Sequence, residues 1–399
     1  MEHITWGLAV FCSMFHVLCS MIIGIDASRA FQKSRTGIEE YSYQVIRHLR
    51  EPLKKESVVL FCNPAVNGRP DPASNGADFE LPQKWRIKNL RAPIFWTQIR
   101  LSLEMLFGRP DALFVPAHTV PFIHPANTIV TIHGLEYEFC PKAYSFFERL
   151  YMRWSIRKSC KWAKKIIAVS ENTKRDLMTL YGVPEEKIEV VYEGISPKAR
   201  LFPSKSSALG IPQSQALSKF LLFVGRLEER KNIIGIIDAF EILKEKRNLP
   251  HKLVLAGKFG YGGESIKYKV ESSKYKDDIV LPGYVSDEEK WTLMKNADVF
   301  LFPTFYEGFG LPILEAQAAG TPVVTSNISS MPEVAGGGAI LVDPRDPSAI
   351  AEAAHKLVAD ESRKNDIIEK GRENVKRFSW EKCAEEMAQV LMVMNDKNE

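Results

Sequence analysis

The sequence predicts an α/β protein made of two doubly wound, Rossmann-like domains in tandem. Three observations carry this expectation. Short apolar runs alternate with helical patterns from end to end. The runs lack the in-and-out alternation of a half-exposed sheet, so they fit parallel strands covered on both faces. A stretch rich in Pro, Ser and Lys separates two series of them.

In the first series the strand-like runs are 22–26, 57–61, 111–115, 128–132, 165–169 and 188–192, with helical patterns at 38–49, 145–161 and 172–180. In the second they are 220–224, 252–256, 279–281, 299–302 and 323–325. Ser286 and Glu289 form a capping box before Trp291 and Leu293, and Asp346-Pro347 supplies an N-cap with a first-turn proline. A last helix near 380–394 carries Cys383, Met387, Val390, Leu391 and Met394 on one face, which has to be buried. The expected organisation is an extension or weak anchor at 1–20, a first Rossmann-like domain at 21–196, a linker at 197–219, a second Rossmann-like domain at 220–378 and a C-terminal helix at 379–399. Open α/β sheets bind ligands beyond the carboxyl ends of their strands, so two facing sheets would frame a cleft between them.

Composition narrows the class. The 399 residues suffice for two cores, and 45% hydrophobic with 26% charged residues is a globular balance. No low-complexity tract or solenoid-length repeat occurs. Residues 21–200 hold 27 Lys/Arg against 19 Asp/Glu, and residues 201–399 hold 26 against 29. The basic half is therefore the one expected to meet an anionic surface or acceptor, with a chance imbalance as the alternative. Cys12, Cys19, Cys62, Cys140, Cys160 and Cys383 show neither a C-x-x-C pair nor zinc spacing, which points to a reducing, cytoplasmic setting and no metal site. Residues 4–19 are mostly apolar but are interrupted by Ser13 and His16 and fall short of the ~20 residues of a spanning helix. Lacking a basic start and a cleavage site, they read as an upstream extension rather than an anchor.

Two segments carry chemistry. Gly225-Arg226-Leu227-Glu228-Glu229-Arg230-Lys231 follows a strand and enters a helix. Gly225 allows a tight turn, and Arg226 and Lys231 offer a planar fork and a point charge suited to a diphosphate. Glu307-Gly308-Phe309-Gly310-Leu311-Pro312-Ile313-Leu314-Glu315 follows another strand. Its glycines strip side chains from the loop and Pro312 opens a helix, leaving backbone N–H groups free for phosphate. Glu307 and Glu315 are expected to accept from hydroxyls of the sugar and the ribose. His133, at a strand's carboxyl end, is expected to hydrogen-bond a sugar hydroxyl or the backbone.

The Glu-x7-Glu of Glu307 and Glu315, with the Gly-Arg-x4-Lys of Gly225, Arg226 and Lys231, resembles glycosyltransferase family 4, of GT-B fold. The resemblance covers nearly all of residues 21–399. Ile25-Asp26-Ala27, Thr36-Gly37-Ile38, Thr131-Ile132-His133, Ala168-Val169-Ser170-Glu171, Gly283-Tyr284-Val285 and Ser329-Ser330-Met331-Pro332-Glu333-Val334 resemble a mannosyltransferase branch serving O-antigen assembly. The resemblance implies that Arg226 and Lys231 bind the donor diphosphate, Glu307 the sugar and Glu315 the ribose. Gly308, Phe309, Gly310 and Leu311 would face phosphate and sugar. Gly283, Tyr284 and Val285 would lie near the nucleobase, and Gly37 would leave room for donor and acceptor. His133 would stand close to the transferred sugar, although Gly134 replaces the family's frequent Asp. Glu193-Gly194 replaces its commoner Asn-Gly, a change expected to alter a turn and little else.

The reaction expected from this resemblance is retaining and metal-independent, with no cofactor and GDP-mannose as substrate. The acceptor would be a glycan or polyprenyl-linked glycan, with no role for nucleic acid. In the helix at 145–161, Arg149, Arg153, Arg157 and Lys161 form a stripe beside Phe147, Tyr151 and Trp154. It is expected to rest on the anionic inner face of the membrane, a solvated face being the alternative. Two other readings stay open here: a UDP- or ADP-sugar transferase with a small acceptor, and a non-catalytic nucleotide-sugar-binding subunit.

Overall fold

In the computed structural model, which describes residues 21–32, 35, 37–64, 80–92, 94–195 and 219–393, the apolar runs become two sheets. The first takes β1 (Ile22–Asp26), β2 (Ser57–Cys62), β3 (Trp85–Asn89), β4 (Ala112–Val115), β5 (Asn127–Ile132), β6 (Lys165–Ala168) and β7 (Ile188–Val190) in the order β3-β2-β1-β4-β5-β6-β7. The second takes β8 (Phe220–Val224), β9 (Lys252–Ala256), β10 (Ile279–Gly283), β11 (Val299–Phe302), β12 (Val323–Ser326) and β13 (Ala339–Val342) in the order β10-β9-β8-β11-β12-β13. Each order runs outward on one side of its first strand and then doubles back, the doubly wound pattern. Ile25 lies opposite Leu60 and Phe114 in parallel pairs, and Leu222 opposite Val254 and Phe300.

The strands read from the sequence are all present, with ends shifted by a residue or two. β3 and β13 were not expected. In β3, Trp-Arg-Ile-Lys-Asn buries Trp85 and exposes polar neighbours, as an edge strand does. β13 follows Gly336-Gly337-Gly338, whose composition reads as loop, and only Val342 in it is buried.

The helices are α1 (Gly37–Leu49), α2 (Ser102–Phe107), α3 (Glu136–Phe139), α4 (Phe146–Trp162), α5 (Glu171–Tyr181), α6 (Ile233–Arg247), α7 (Gly263–Ser272), α8 (Asp287–Asn296), α9 (Leu311–Ala319), α10 (Met331–Ala335), α11 (Pro347–Ala359), α12 (Glu361–Val375) and α13 (Trp380–Val393). Local chemistry starts several of them. Ser286 Oγ accepts from the Glu289 N–H at 3.3 Å while Glu289 Oε2 accepts from the Ser286 N–H at 2.7 Å, so the capping box forms. Asp346 Oδ1 accepts from Ser348 and Ala349 N–H at 2.9 and 3.1 Å. In the second sheet, Phe223 and Phe302 stack at 5.9 Å within a core that also buries Ile236, Phe240 and Leu357.

The chain divides into two compact units. Among the described residues, one takes those within 21–130, 162–165 and 384–393, and the other those within 131–161, 166–195 and 219–383. On α13 the expected stripe is buried at Cys383, Met387 and Leu391, with Trp380, Ala384 and Ala388 beside it, while Val390 is half-buried. Residues 1–20, the stretch 197–218 of the expected linker, and Met394 lie outside the described residues. Among the described residues no helix is long and apolar enough to cross a membrane.

Candidate active site

Three glycines close the carboxyl ends of β8, β9 and β10. Gly225 (φ 148°) donates its N–H to Ala256 O at 2.9 Å, and Gly257 donates to Gly283 O at 2.8 Å. A Cβ on Gly257 would sit 1.8 Å from Gly225 O, so the backbones can meet only without side chains. Beyond them Tyr284 is exposed with Lys258 Nζ 4.9 Å from its ring centre, and Val285 packs on the core. Arg226 is exposed and lies along Gly260, where a Cβ would come 2.6 Å from Arg226 Cδ. Its guanidinium is in no ion pair with a described residue.

Lys231 ends a 3₁₀ turn, Glu229–Lys231, that is tied to the rest by Asn232. Asn232 Nδ2 donates to Pro303 O at 3.0 Å and Pro344 O at 2.6 Å. The turn therefore delivers Lys231 to the carboxyl end of β11, where its ammonium pairs with Glu307 Oε1. Arg230, which the sequence reading passed over, joins them: Nη1 lies 2.9 Å from Glu307 Oε1 and donates to Tyr306 O at 2.7 Å, and Nη2 is 2.8 Å from Glu228 Oε1. The available signal was its place beside Lys231 after two glutamates. Burial would raise the Glu307 carboxyl, but Arg230 and Lys231 outweigh it and hold the group below its ordinary value. At Lys231 burial is the larger influence and lowers the ammonium, with Glu307 offsetting part of it. One carboxylate thus faces two cations.

The loop after Glu307 is held by its carbonyls. Ser329 and Ser330 hydroxyls donate to Glu307 O at 2.7 and 2.9 Å, and Ser330 also reaches Phe309 O at 2.7 Å. Ser170 and Thr173 hydroxyls donate to Gly308 O at 2.6 and 3.2 Å. A Cβ on Gly308 would fall 1.5 Å from His133 O. The Phe309 ring is buried against Tyr192 and Phe378, with centres 6.1 and 5.7 Å away, so only its backbone can serve a ligand. Gly310 (φ 116°) starts α9, Leu311 and Pro312 form its first turn, and no described side chain caps it. Its open N–H groups carry the partial positive charge of a helix start. Glu315, one turn on, is half-buried and paired with Lys290 Nζ at 2.7 Å. Lys290, on α8, is a second partner that sequence reasoning missed.

His133 ends β5, and its Nδ1 lies 3.3 Å from Glu193 Oε1 with both side chains nearly buried. The Glu193 substitution is thus more than a change of turn: it places a carboxylate on the histidine. Gly194 has its own reason, since a Cβ there would stand 2.2 Å from Trp380 N. Gly37 is the exposed first residue of α1, and a Cβ on it meets nothing within 4 Å. The basic stripe of α4 has partners within the fold. Arg153 grips Glu138 through Nε at 2.6 Å and through Nη2, Arg149 approaches it at 3.8 Å, and Arg157 lies 4.6 Å from the Tyr181 ring centre. Three of its four cations have neighbouring side chains as partners, because α3 and α5 supply Glu138 and Tyr181 on that side, while Arg157 and Lys161 remain exposed.

Beside the Arg230–Glu307 pair lies a cavity of about 470 Å³, lined among others by Phe139, Asn172, Asp176, Arg230 and Tyr306. Tyr306 Oη donates to Asp176 Oδ2 at 2.8 Å and accepts from the Leu135 N–H at 3.1 Å, and its ring stacks on Phe139 at 4.4 Å. Tyr306→Phe strips a buried N–H and a carboxylate of one partner each. Denaturant unfolding should show a loss of about 1–3 kcal/mol; an unchanged midpoint would contradict this network.

Residues 35–199 match glycosyltransferase family 4, and residues 206–374 match the glycosyl transferases group 1 family. The O-antigen chain mannosyltransferase B of Escherichia coli is 29% identical over 90% of this chain and 96% of its own. An uncharacterized glycosyltransferase of Methanocaldococcus jannaschii, MJ1607, is 31% identical over 77% of this chain and 84% of its own. Among solved structures, sucrose-phosphate synthase from Thermosynechococcus elongatus has the same fold, with a TM-score of 0.69 at 19% identity over 94% of this chain and 99% of that one. Two parallel-sheet domains and these matches define a glycosyltransferase of GT-B fold. The chain belongs to glycosyltransferase family 4.

Proposed function

We propose that this enzyme is a retaining, metal-independent mannosyltransferase that moves mannose from GDP-mannose to a polyprenyl-linked glycan during cell-surface polysaccharide assembly, at the cytoplasmic face of the membrane. The observation that supports the reading is that Arg226 follows β8, Lys231 pairs with Glu307 beyond β11, and α9 starts beyond that same strand with no described side chain capping it. The mannosyl donor and the polysaccharide context are supported by the printed names of relatives, O-antigen chain mannosyltransferases of Escherichia coli and Salmonella typhimurium.

When the bond between the anomeric carbon and the diphosphate breaks, the electron pair stays on the phosphate oxygen and the sugar becomes cationic. Arg226, Lys231 and the helix start meet the negative charge. Lys231 would turn from Glu307 towards phosphate, which frees Glu307 to accept from sugar hydroxyls. Glu315 would exchange Lys290 for the ribose diol, and Gly283 to Val285 would lie along the base. Following the family resemblance, the acceptor oxygen attacks on the face the diphosphate leaves, and a departing phosphate oxygen takes the acceptor proton. His133, held by Glu193, would hydrogen-bond the sugar.

Release of nucleotide from GDP-mannose, UDP-glucose and ADP-glucose, each with and without EDTA, tests the reading. Turnover of GDP-mannose unaffected by EDTA is expected. Turnover of a UDP-sugar in its place would remove the donor assignment, and EDTA inhibition rescued by Mg²⁺ would remove metal independence.

A further inference from the structure

The segment from Trp85 to Pro110 carries Arg86, Lys88, Arg91, Arg100 and Arg109 and one acid, Glu104. A π-helical turn, Trp96–Leu101, runs into α2, and the two are apolar on opposite sides. Leu101 and Met105 are buried with Ser102 and Glu104. Ile99, Leu103, Leu106 and Phe107, spaced as one helical face, point to solvent, with Phe107 89% exposed. Ahead of the turn, Phe95 adopts φ 51°, an uncommon backbone state for an aromatic residue, and is 65% exposed. Ile123 extends the patch, since its N–H donates to Ser102 Oγ at 3.4 Å. Contiguous large apolar side chains on the solvent side of so short an element make a patch of the kind that marks an interaction surface.

The charges say by what. Glu104 is buried and neutralised by Lys88 and Arg100, while Arg86, Arg91 and Arg109 are exposed and in no ion pair with a described residue. Large apolar side chains with exposed cations in the same stretch of chain suit an anionic bilayer, where rings and aliphatic chains enter the headgroup boundary and the cations meet phosphates. Position agrees. Trp96 Nε1 donates to Asp26 Oδ1 at 3.1 Å, which fastens the start of this element to the carboxyl end of β1, the end at which such sheets bind ligands.

We infer that Phe95, Ile99, Leu103, Leu106, Phe107 and Ile123, with the cations around them, form the surface by which the enzyme docks on anionic lipid. The inference deepens the proposed function, resting on it for the idea that the acceptor is lipid-borne.

Co-sedimentation of the full chain with vesicles of phosphatidylglycerol and phosphatidylcholine, and with phosphatidylcholine alone, tests it. The wild type should partition at least tenfold better onto the anionic vesicles and lose most of that advantage at 1 M salt, where screening is nearly complete. Leu103→Ser/Phe107→Ser should lower partition about tenfold or more, with an unchanged melting curve and unchanged GDP-mannose turnover on a soluble acceptor. Equal binding by wild type and variant would overturn the assignment. So would concentration-dependent dimers that the variant loses, with no vesicle binding, since the face would then serve a second copy. Loss of binding on removal of residues 1–20, with the variant still bound, would equally overturn it. Vesicle binding without GDP-mannose turnover would sink the proposed function and leave the surface standing.

Discussion

Replacing Lys231 with alanine lowers turnover at least tenfold, about 1.4 kcal/mol or more of transition-state stabilisation. In the proposed reading the ammonium is one of the two cations that meet charge on the leaving diphosphate, and its side chain is mostly buried, where water substitutes poorly. The same substitution also costs stability. Glu307 keeps Arg230 but loses its other partner, and breaking a buried pair typically costs about 3–5 kcal/mol. A second variant separates the two effects. Lys231→Ala/Glu307→Gln removes charge from both partners, so it should regain much of the stability while turnover stays low. Recovery of turnover together with stability would show that Lys231 acts through folding alone. The pair also has a pH signature. The Glu307 carboxyl is held below its ordinary value in the folded protein, so its contribution is complete above that ordinary value. It is lost as pH falls through the folded value, because the unfolded chain then binds the proton first. Acid unfolding of Glu307→Gln should lack that component; an identical acid limb would refute the charge assignment.

Gly308→Ala is expected to be the most damaging single methyl group in the donor loop. Its Cβ would lie 1.5 Å from His133 O and 2.5 Å from His133 C, which are backbone atoms at the end of β5. A flexible side chain could step aside; this carbonyl is part of a buried turn in which Gly134 (φ 139°) already lies against Gly308. Relief requires moving the loop off the Ser170 and Thr173 hydroxyls that anchor it. Overpacking of this kind costs about 1–3 kcal/mol and occasionally more, and the top of that range is expected here. Thermal unfolding should drop by several degrees, and donor binding should weaken because the start of α9 shifts with the loop. Gly37→Ala is the control, since its Cβ meets nothing within 4 Å. A Gly308→Ala protein as stable as Gly37→Ala would mean that the approach of the two backbones is not real.

These two positions mark how far sequence reaches. Lys231 and Glu307 could be singled out because both segments follow strands that are readable from apolar runs, and the fold brings the two side chains together. Gly308 was legible as part of a bare loop, but the carbonyl that forbids its Cβ comes from a residue far away in the chain. Arg230 was overlooked since a cation beside a cation carries no sign of which one turns inward. Lys290 stayed hidden for a related reason: nothing local tells an α8 lysine that Glu315 will face it. At Glu193 the local reading was misleading, because a residue taken for turn chemistry meets His133 only when β5 and β7 have been placed in one sheet.

The amino-acid order by itself determined the two parallel sheets, the helix starts at Ser286, Gly310 and Asp346, and the residue types offered to a nucleotide sugar. Those depend on short-range rules: burial of continuous apolar runs, capping geometry, and glycine where the backbone must pass closely. Tertiary structure alone decided which charges are satisfied. It turned three α4 cations towards Glu138 and Tyr181, put two cations on Glu307, and left the apolar face of α2 in solvent. The strength of an ion pair and the exposure of a side chain depend on distances between residues remote in sequence, and only the folded chain sets those distances.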